Sequence, residues 1–192
     1  VYTLLEDEKI SKACAEALYM GIAHDTGVFQ YSCTSPETME AAAQLLRKGI
    51  DGSEIIEKTY FEKTYIQNQI LGRALLESML VLEKQVVVSV VSRKEMEFFE
   101  AVPSDLEGIV AQLRQTKGVE VAIFLHETDT REYKVSLRSK GKVNVSSIAQ
   151  YFGGGGHVRA AGCTMSGSIH DGSAHDVINN LLRQITLQLK EA

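Results

Sequence analysis

Residues 85–92 read QVVVSVVS, an almost unbroken run of β-branched side chains. A strand of that composition has no face to offer water, so other elements must cover it on both sides. That requirement points to an α/β fold, and the residues downstream supply the cover. A helix is expected beyond Ser104, with Ser104 and Glu107 as a capping box and Ile109, Val110 and Leu113 on one face. Gly118 ends it. VEVAIFL (119–125) and EYKVSLR (132–138) predict two more strands joined by a polar turn at 127–130. A short helix over 146–152, a fourth strand over 159–165 and a closing helix over 177–189 complete the series. Ile178, Leu181, Leu182, Ile185 and Leu189 share one face of that last helix.

The first 80 residues have a different rhythm and read as mostly helical. One helix is expected from Asp7 to about Met20, its apolar stripe stopping at His24-Asp25-Thr26-Gly27. Ser35-Pro36-Glu37 is a strong helix start: a capping serine, proline at the first helical position and an acid in the first turn. Ser53 is expected to open a short helix, and a longer one should run from about Phe61 to Leu80. The chain therefore divides into a helical part, 1–82, and an α/β part, 83–192.

No run of about 18 apolar residues is present, which argues against a membrane-spanning helix. No basic stretch precedes an apolar block, so no signal peptide is expected, and Val1 in place of Met suggests a piece of a longer protein. Three cysteines without a CxxC pair fit a reducing, cytoplasmic setting. Charge is uneven. Residues 131–192 hold 8 Lys+Arg against 4 Asp+Glu, and residues 1–130 hold 12 against 21. A basic rear half is suited to an anion.

The segment richest in chemistry is YKVSLRSKGKVNVSSIAQYFGGGGHVRAAGCT, residues 133–164. Gly153–Gly156 cost about 0.5–1 kcal/mol each relative to alanine within a regular element, so they are not expected to be there for packing. Bare backbone amides in a row can line an anion-binding concavity. His157 follows directly, Arg159 stands two residues on, and Ala160, Ala161 and Gly162 are small enough to let a ligand come close. Arg138, Lys140 and Lys142 add positive charge, and Arg138 suits a forked contact to phosphate. No GK[ST] follows the glycines, so this is not a Walker loop. Asp25, at the end of an apolar stretch, is a candidate ligand for a hard metal but on its own reads as a turn or cap residue. His126, His170 and His175 are expected on the solvated surface, and Phe98-Phe99 in the core.

Together these two stretches resemble a known family. GIAHDTGVFQYSCTSPET is similar to the closing motif of the DHH phosphoesterase domain. The segment 133–165 is similar to the signature of its companion, the DHHA1 domain. Their order and separation resemble the RecJ-like phosphoesterases, in particular the short bacterial proteins that degrade nanoRNA and dephosphorylate 3′-phosphoadenosine 5′-phosphate. The resemblance implies the helical C-terminal portion of a DHH domain followed by a DHHA1 α/β domain with a mixed sheet. It implies a hydrolase with two divalent metals, usually Mn2+, held by aspartates and histidines of the DHH domain. The DHHA1 domain would hold the substrate: a short RNA oligonucleotide or a nucleotide phosphate.

Carried over residue by residue, Asp25 matches the metal-ligating aspartate of the final DHH motif. Arg138, Ser139, Asn144, Gly153, Gly154, Gly155, Gly156, His157, Arg159, Ala160, Ala161 and Gly162 match the substrate-binding motif, with His157 on the phosphate. His24 and Gln30 stand where threonine and arginine are more usual. The DHH string and the upstream aspartate motifs are absent from these 192 residues, so most of the metal site is expected elsewhere and this segment alone is expected to be inactive. Two other readings stay open: an RNA- or nucleotide-binding module without catalysis, and part of a cyclic dinucleotide phosphodiesterase. A homodimer is left open as well.

Overall fold

The computed structural model describes residues 10–167 and 174–191. The start of the first expected helix, residues 7–9, and His170 lie outside the described residues. The chain divides into two compact units, one up to Lys63 and one from Thr64 onward.

In the first unit, Ser11 caps α1 (Lys12–Asp25), accepting a hydrogen bond from the Cys14 amide. The helix runs to Asp25, past the expected end at Met20, because Thr26 closes it: its hydroxyl donates to the Ile22 carbonyl at 2.7 Å and accepts from the Phe29 amide at 3.0 Å. Ser35-Pro36 starts α2 (Pro36–Leu46) as expected, with a capping box completed by Thr38. Asp51, rather than Ser53, caps the short α3 (Gly52–Ile56), and a π-helical turn follows at Glu57–Phe61. Ile10, Ala15, Tyr19, Ala42, Leu45 and Ile50 form this unit's core.

The second unit is a six-stranded mixed sheet with helices, the expected α/β class. It opens with α4 (Tyr65–Leu76). The expected helix over 61–80 is shorter at both ends: a reciprocal capping box between Thr64 and Gln67 starts it late, and the edge strand β1 (Met79–Val81) replaces its tail. Next come β2 (Val86–Val91) and α5 (Arg93–Phe98), the latter started by a Ser92–Glu95 capping box that the sequence reading missed. The expected capping box at Ser104 does not form. Pro103–Leu106 makes a 3-10 turn closed by Asp105 on the Val102 amide, and α6 (Ile109–Arg114) begins only after Gly108, whose φ of 88° breaks the helix.

Strands β3 (Val121–Asp129) and β4 (Glu132–Ser139) pair as a hairpin. Then follow α7 (Val145–Tyr151), β5 (Gly155–His157), β6 (Ala160–Ser166) and α8 (Ala174–Glu191). The sheet order is β1-β2-β3-β4-β6-β5, with β2 and β3 parallel and all other pairs antiparallel. No helix among the described residues is long and apolar enough to cross a membrane.

Each sheet face has its own core. Val88, Ile123, Val135, Leu137, Ala161 and Cys163 point to one face and pack with α7 and α8 through Ile148, Leu181 and Ile185. Val87, Val91, Ala122 and Phe124 point to the other and pack with α4 and α6 through Ile70, Ala74, Ile109 and Leu113. That second layer covers β2 and β3. Alternate residues of β4 are buried and less buried, the pattern of a strand with one face against a core and one face open.

Candidate anion-binding site

Antiparallel register fixes what the open face of β4 presents. Lys134, Ser136 and Arg138 pair with Thr164, Gly162 and Ala160 of β6, and Gly162 and Ala160 pair in turn with Gly155 and His157 of β5. Paired residues share a face, so three strands deliver Lys134, Ser136, Arg138, Thr164 and His157 to one side, over a floor of alanine and glycine. A cavity of about 570 Å³ opens there. Its walls include Lys134, Ser136, Arg138, Thr164 and all four residues Gly153–Gly156. Its charged side chains are two cations, and Lys134 has no acid partner among the described residues.

The glycine run does more than line that cavity, and here the expectation that packing has no part in it is corrected. Gly153 turns the chain out of α7 at φ 78°. Its amide donates to the Gln150 carbonyl and that of Gly154 to the Ala149 carbonyl, so these two are engaged by the helix end rather than free for a ligand. A Cβ on Gly154 would stand 2.2 Å from the Gly162 carbonyl oxygen, and one on Gly156 would stand 2.5 Å from that of Ala160. Only glycine lets β5 lie this close to β6. A Cβ on Gly155 would meet nothing within 4 Å. The cavity is thus a concave sheet edge with two cations, rather than a nest of four amides.

The other expected site residues sit as follows. Ala160, Ala161 and Gly162 line the cavity with Gly153–Gly156. His157 ends β5, exposed, on the same sheet face but outside the cavity lining. Arg159 occupies the following turn and lays its guanidinium over Gly141. Ser139 is fully buried on the opposite face from Arg138 and does not reach the cavity; its hydroxyl has no hydrogen-bond partner among the described residues. Asn144 caps α7, its Oδ1 accepting from the Ser146 and Ser147 amides at 3.0 and 3.2 Å. The Ser146 hydroxyl then donates to the Gly156 carbonyl at 2.8 Å, which pins the glycine strand to the helix start. Glu120, nearly buried, accepts from the amides of Gly141, Lys142 and Val143 and fixes the loop beyond Arg138. Lys134 and Ser136 escaped the sequence reading. The alternation in EYKVSLRS was the available signal, since it places 134, 136 and 138 on one face.

Asp25, in the first unit, is exposed at the last position of α1, where the helix dipole disfavours a carboxylate. Among the described residues no three His, Cys, Asp or Glu side chains come together in a way that could hold a metal ion. The described residues therefore do not make up a two-metal centre by themselves.

His126 corrects a second expectation. It is 7% exposed, because β3 is paired on both sides up to that residue, with Val91 and with Lys134. Burial, and then the neighbouring Lys134 charge, push its pKa below the ordinary value. His175 is exposed as expected. Phe98 is 79% exposed, and only Phe99 of that pair packs against the core.

Residues 83–191, more than half of the chain, match the DHHA1 domain family. The chain belongs to the DHHA1 family. The bifunctional oligoribonuclease and PAP phosphatase of Thermus thermophilus is 30% identical over 173 residues, covering 90% of this chain and 51% of that protein. The cyclic-di-AMP phosphodiesterase of Bacillus subtilis is 29% identical over 163 residues, covering 83% and 23%. The crystal structure of an exopolyphosphatase-related protein from Bacteroides fragilis matches with a TM-score of 0.85 at 30% identity, over 95% of this chain and 54% of that one. This DHHA1 chain spans about half the length, or less, of the relatives it matches. The resemblance to the DHH/DHHA1 phosphoesterases read from the sequence agrees with these matches.

Proposed function

We propose that this chain is the substrate-holding, C-terminal part of a phosphoesterase that hydrolyses short oligoribonucleotides, nucleotide bisphosphates or both. The cavity carries the reading: two cations over a floor of glycine and alanine, open on one sheet face. Arg138 would hold a phosphate by paired N–H donors and Lys134 would add a point charge. Small floor residues let the anion approach the backbone, and His157 stands on the same face to reach a phosphate extending past the rim. Asn144 and Arg159 would act on the ligand through the backbone they pack on, and Ser139, buried on the other face, would only fill space behind Arg138. In this reading residues 1–82 correspond to the end of the DHH domain and 83–192 to the DHHA1 domain, although α4 packs with the sheet. The relatives named as an oligoribonuclease and phosphatase and as a phosphodiesterase support phosphate-ester chemistry.

Hydrolysis would belong to the full-length protein, with Mn2+ as its metal and Asp25 as one donor; the 192 residues alone would bind substrate and not cleave it. The test is to assay the full-length protein with Mn2+ on short oligoribonucleotides and on 3′-phosphoadenosine 5′-phosphate. Turnover of either is the expected result, and turnover of neither overturns the proposal.

A further inference from the structure

Gly155 and Gly156 of β5 line the cavity, yet this strand is three residues long and pairs only with β6, at the sheet edge. One side of its backbone is left for another element to hold. α7 does so from both of its ends. Past the helix C-terminus, the Gly153 and Gly154 amides donate to the Gln150 and Ala149 carbonyls. At its N-terminus, the Ser146 hydroxyl donates to the Gly156 carbonyl at 2.8 Å and the Val145 amide to the Val158 carbonyl at 2.9 Å. The first turn of α7 thus sets where the glycine wall of the cavity stands.

That first turn is gripped in its turn by one side chain from far along the sequence. Asn144, the cap of α7, has extended backbone, and its own N–H lies outside the helix ladder. Gln188, half-buried near the end of α8, presents its carboxamide to it. Oε1 accepts from the Asn144 amide at 2.8 Å. Nε2 donates to the Asn144 carbonyl at 3.3 Å and to the Ser147 hydroxyl at 3.1 Å. A carboxamide carries a donor and an acceptor side by side, so it binds both backbone groups of one residue as a neighbouring strand would. Leu181 and Ile185, buried in the core of that sheet face, anchor the helix from which Gln188 reaches.

We propose that Gln188 is a positioning residue for the cavity: by holding both backbone groups of Asn144 it fixes the first turn of α7, and through Ser146 it fixes the Gly156 wall against which a phosphate lies. This rests on the reading of the cavity as a phosphate site and adds a residue that touches no ligand yet sets the shape of the site.

A double-mutant cycle on the 192-residue chain tests it, with Gln188→Leu, Ser146→Ala and the two combined. Calorimetry measures 5′-AMP affinity, and 1H–15N NMR follows the glycine amides without ligand. Each single variant should bind 5′-AMP about fivefold more weakly than wild type, the scale of a lost hydrogen bond. The double variant should also be about fivefold weaker rather than about 25-fold, because both changes break one linkage. In Gln188→Leu and in Ser146→Ala the Gly155 and Gly156 amide resonances should move, while those of Val87 and Val88, on β2 at the far side of the sheet, stay in place. Unchanged 5′-AMP affinity in Gln188→Leu, or losses that simply multiply in the double variant, overturns the proposal. If wild-type protein binds no 5′-AMP, the phosphate reading falls and the amide resonances alone decide the linkage: movement at Gly155 and Gly156 upholds it, and none overturns it.

Discussion

Asp25 ends a helix of the first unit, exposed, with no pair of other donors beside it among the described residues. Gly153–Gly156 lie along a sheet whose neighbouring strands contribute Lys134, Ser136 and Arg138 to the same concavity. Both segments stand out in the sequence for the chemistry of their residues. They differ in what the surrounding fold brings to them. A helix end offers one residue and its own last turn, whereas a sheet edge collects side chains from strands far apart in the chain. Register is what turns a polar residue into part of a site.

The largest effect should come from the glycine that the sheet needs most. Gly154→Val drives a branched side chain into the Gly162 carbonyl and Cys163 and should destabilise the second unit by about 3 kcal/mol or more in chemical denaturation. Gly155→Ala has open space and should change stability by less than about 1 kcal/mol. Equal losses would mean that the run is a flexible loop with no close strand contact. Arg138→Ala should weaken phosphate-ligand binding measured by calorimetry by about 1.5–3 kcal/mol, the scale of a hydrogen bond to a charged group. His157→Ala should cost about 0.5–1.5 kcal/mol of binding, since the ring stands at the rim. Asp25→Asn is the counterpart in the other region. It should leave ligand binding by this chain unchanged and raise stability by about 0.3–1 kcal/mol, because it removes a carboxylate from a helix C-terminus. A loss of ligand affinity in that variant would show that the two regions work together within this chain.

A pH series sharpens the picture of the sheet side. His126 is held neutral in the fold, so the unfolded chain binds its proton first as pH falls through about 6.5. Its contribution to stability is therefore full above that value and declines below it until the folded group also titrates. His126→Phe should flatten the drop in melting temperature between about pH 7.5 and 5. Glu95 acts in the same direction but at lower pH, losing its contribution only below the ordinary carboxylate range. Burial would raise its pKa, but hydrogen bonds from Ser92 and Arg73 prevail and hold it at about 2. Its stabilising effect at the start of α5 should persist in mild acid, and Glu95→Gln should lose about 1 kcal/mol at pH 7 in thermal denaturation.

Local signals were legible where the chain itself makes the structure. The start of α2, the strand expected over 85–92, the pairing of the strands over 119–125 and 132–138, and the closing helix could be placed from capping residues and periodicity, although β3 runs on to Asp129 through the expected turn at 127–130. Misreadings arose where a neighbour decides. Ser104 looked like a cap, but Gly108 and Asp105 reshape that turn. Met79–Val81 looked like a helix tail and pairs instead with β2. His126 looked solvated because its sequence neighbours are polar, yet strands on both sides enclose it.

The residue order alone determined the α/β class, the basic rear half and the family, because alternation, capping and a dense motif are properties of adjacent residues. Tertiary structure decided which of those residues face one another. Strand pairing put Lys134 and Ser136 beside the glycines, turned Ser139 inward and enclosed His126. Such outcomes depend on which strands lie side by side and in what register, and partners up to 44 positions apart, as between Asn144 and Gln188, are set only when the whole sheet and its helices close.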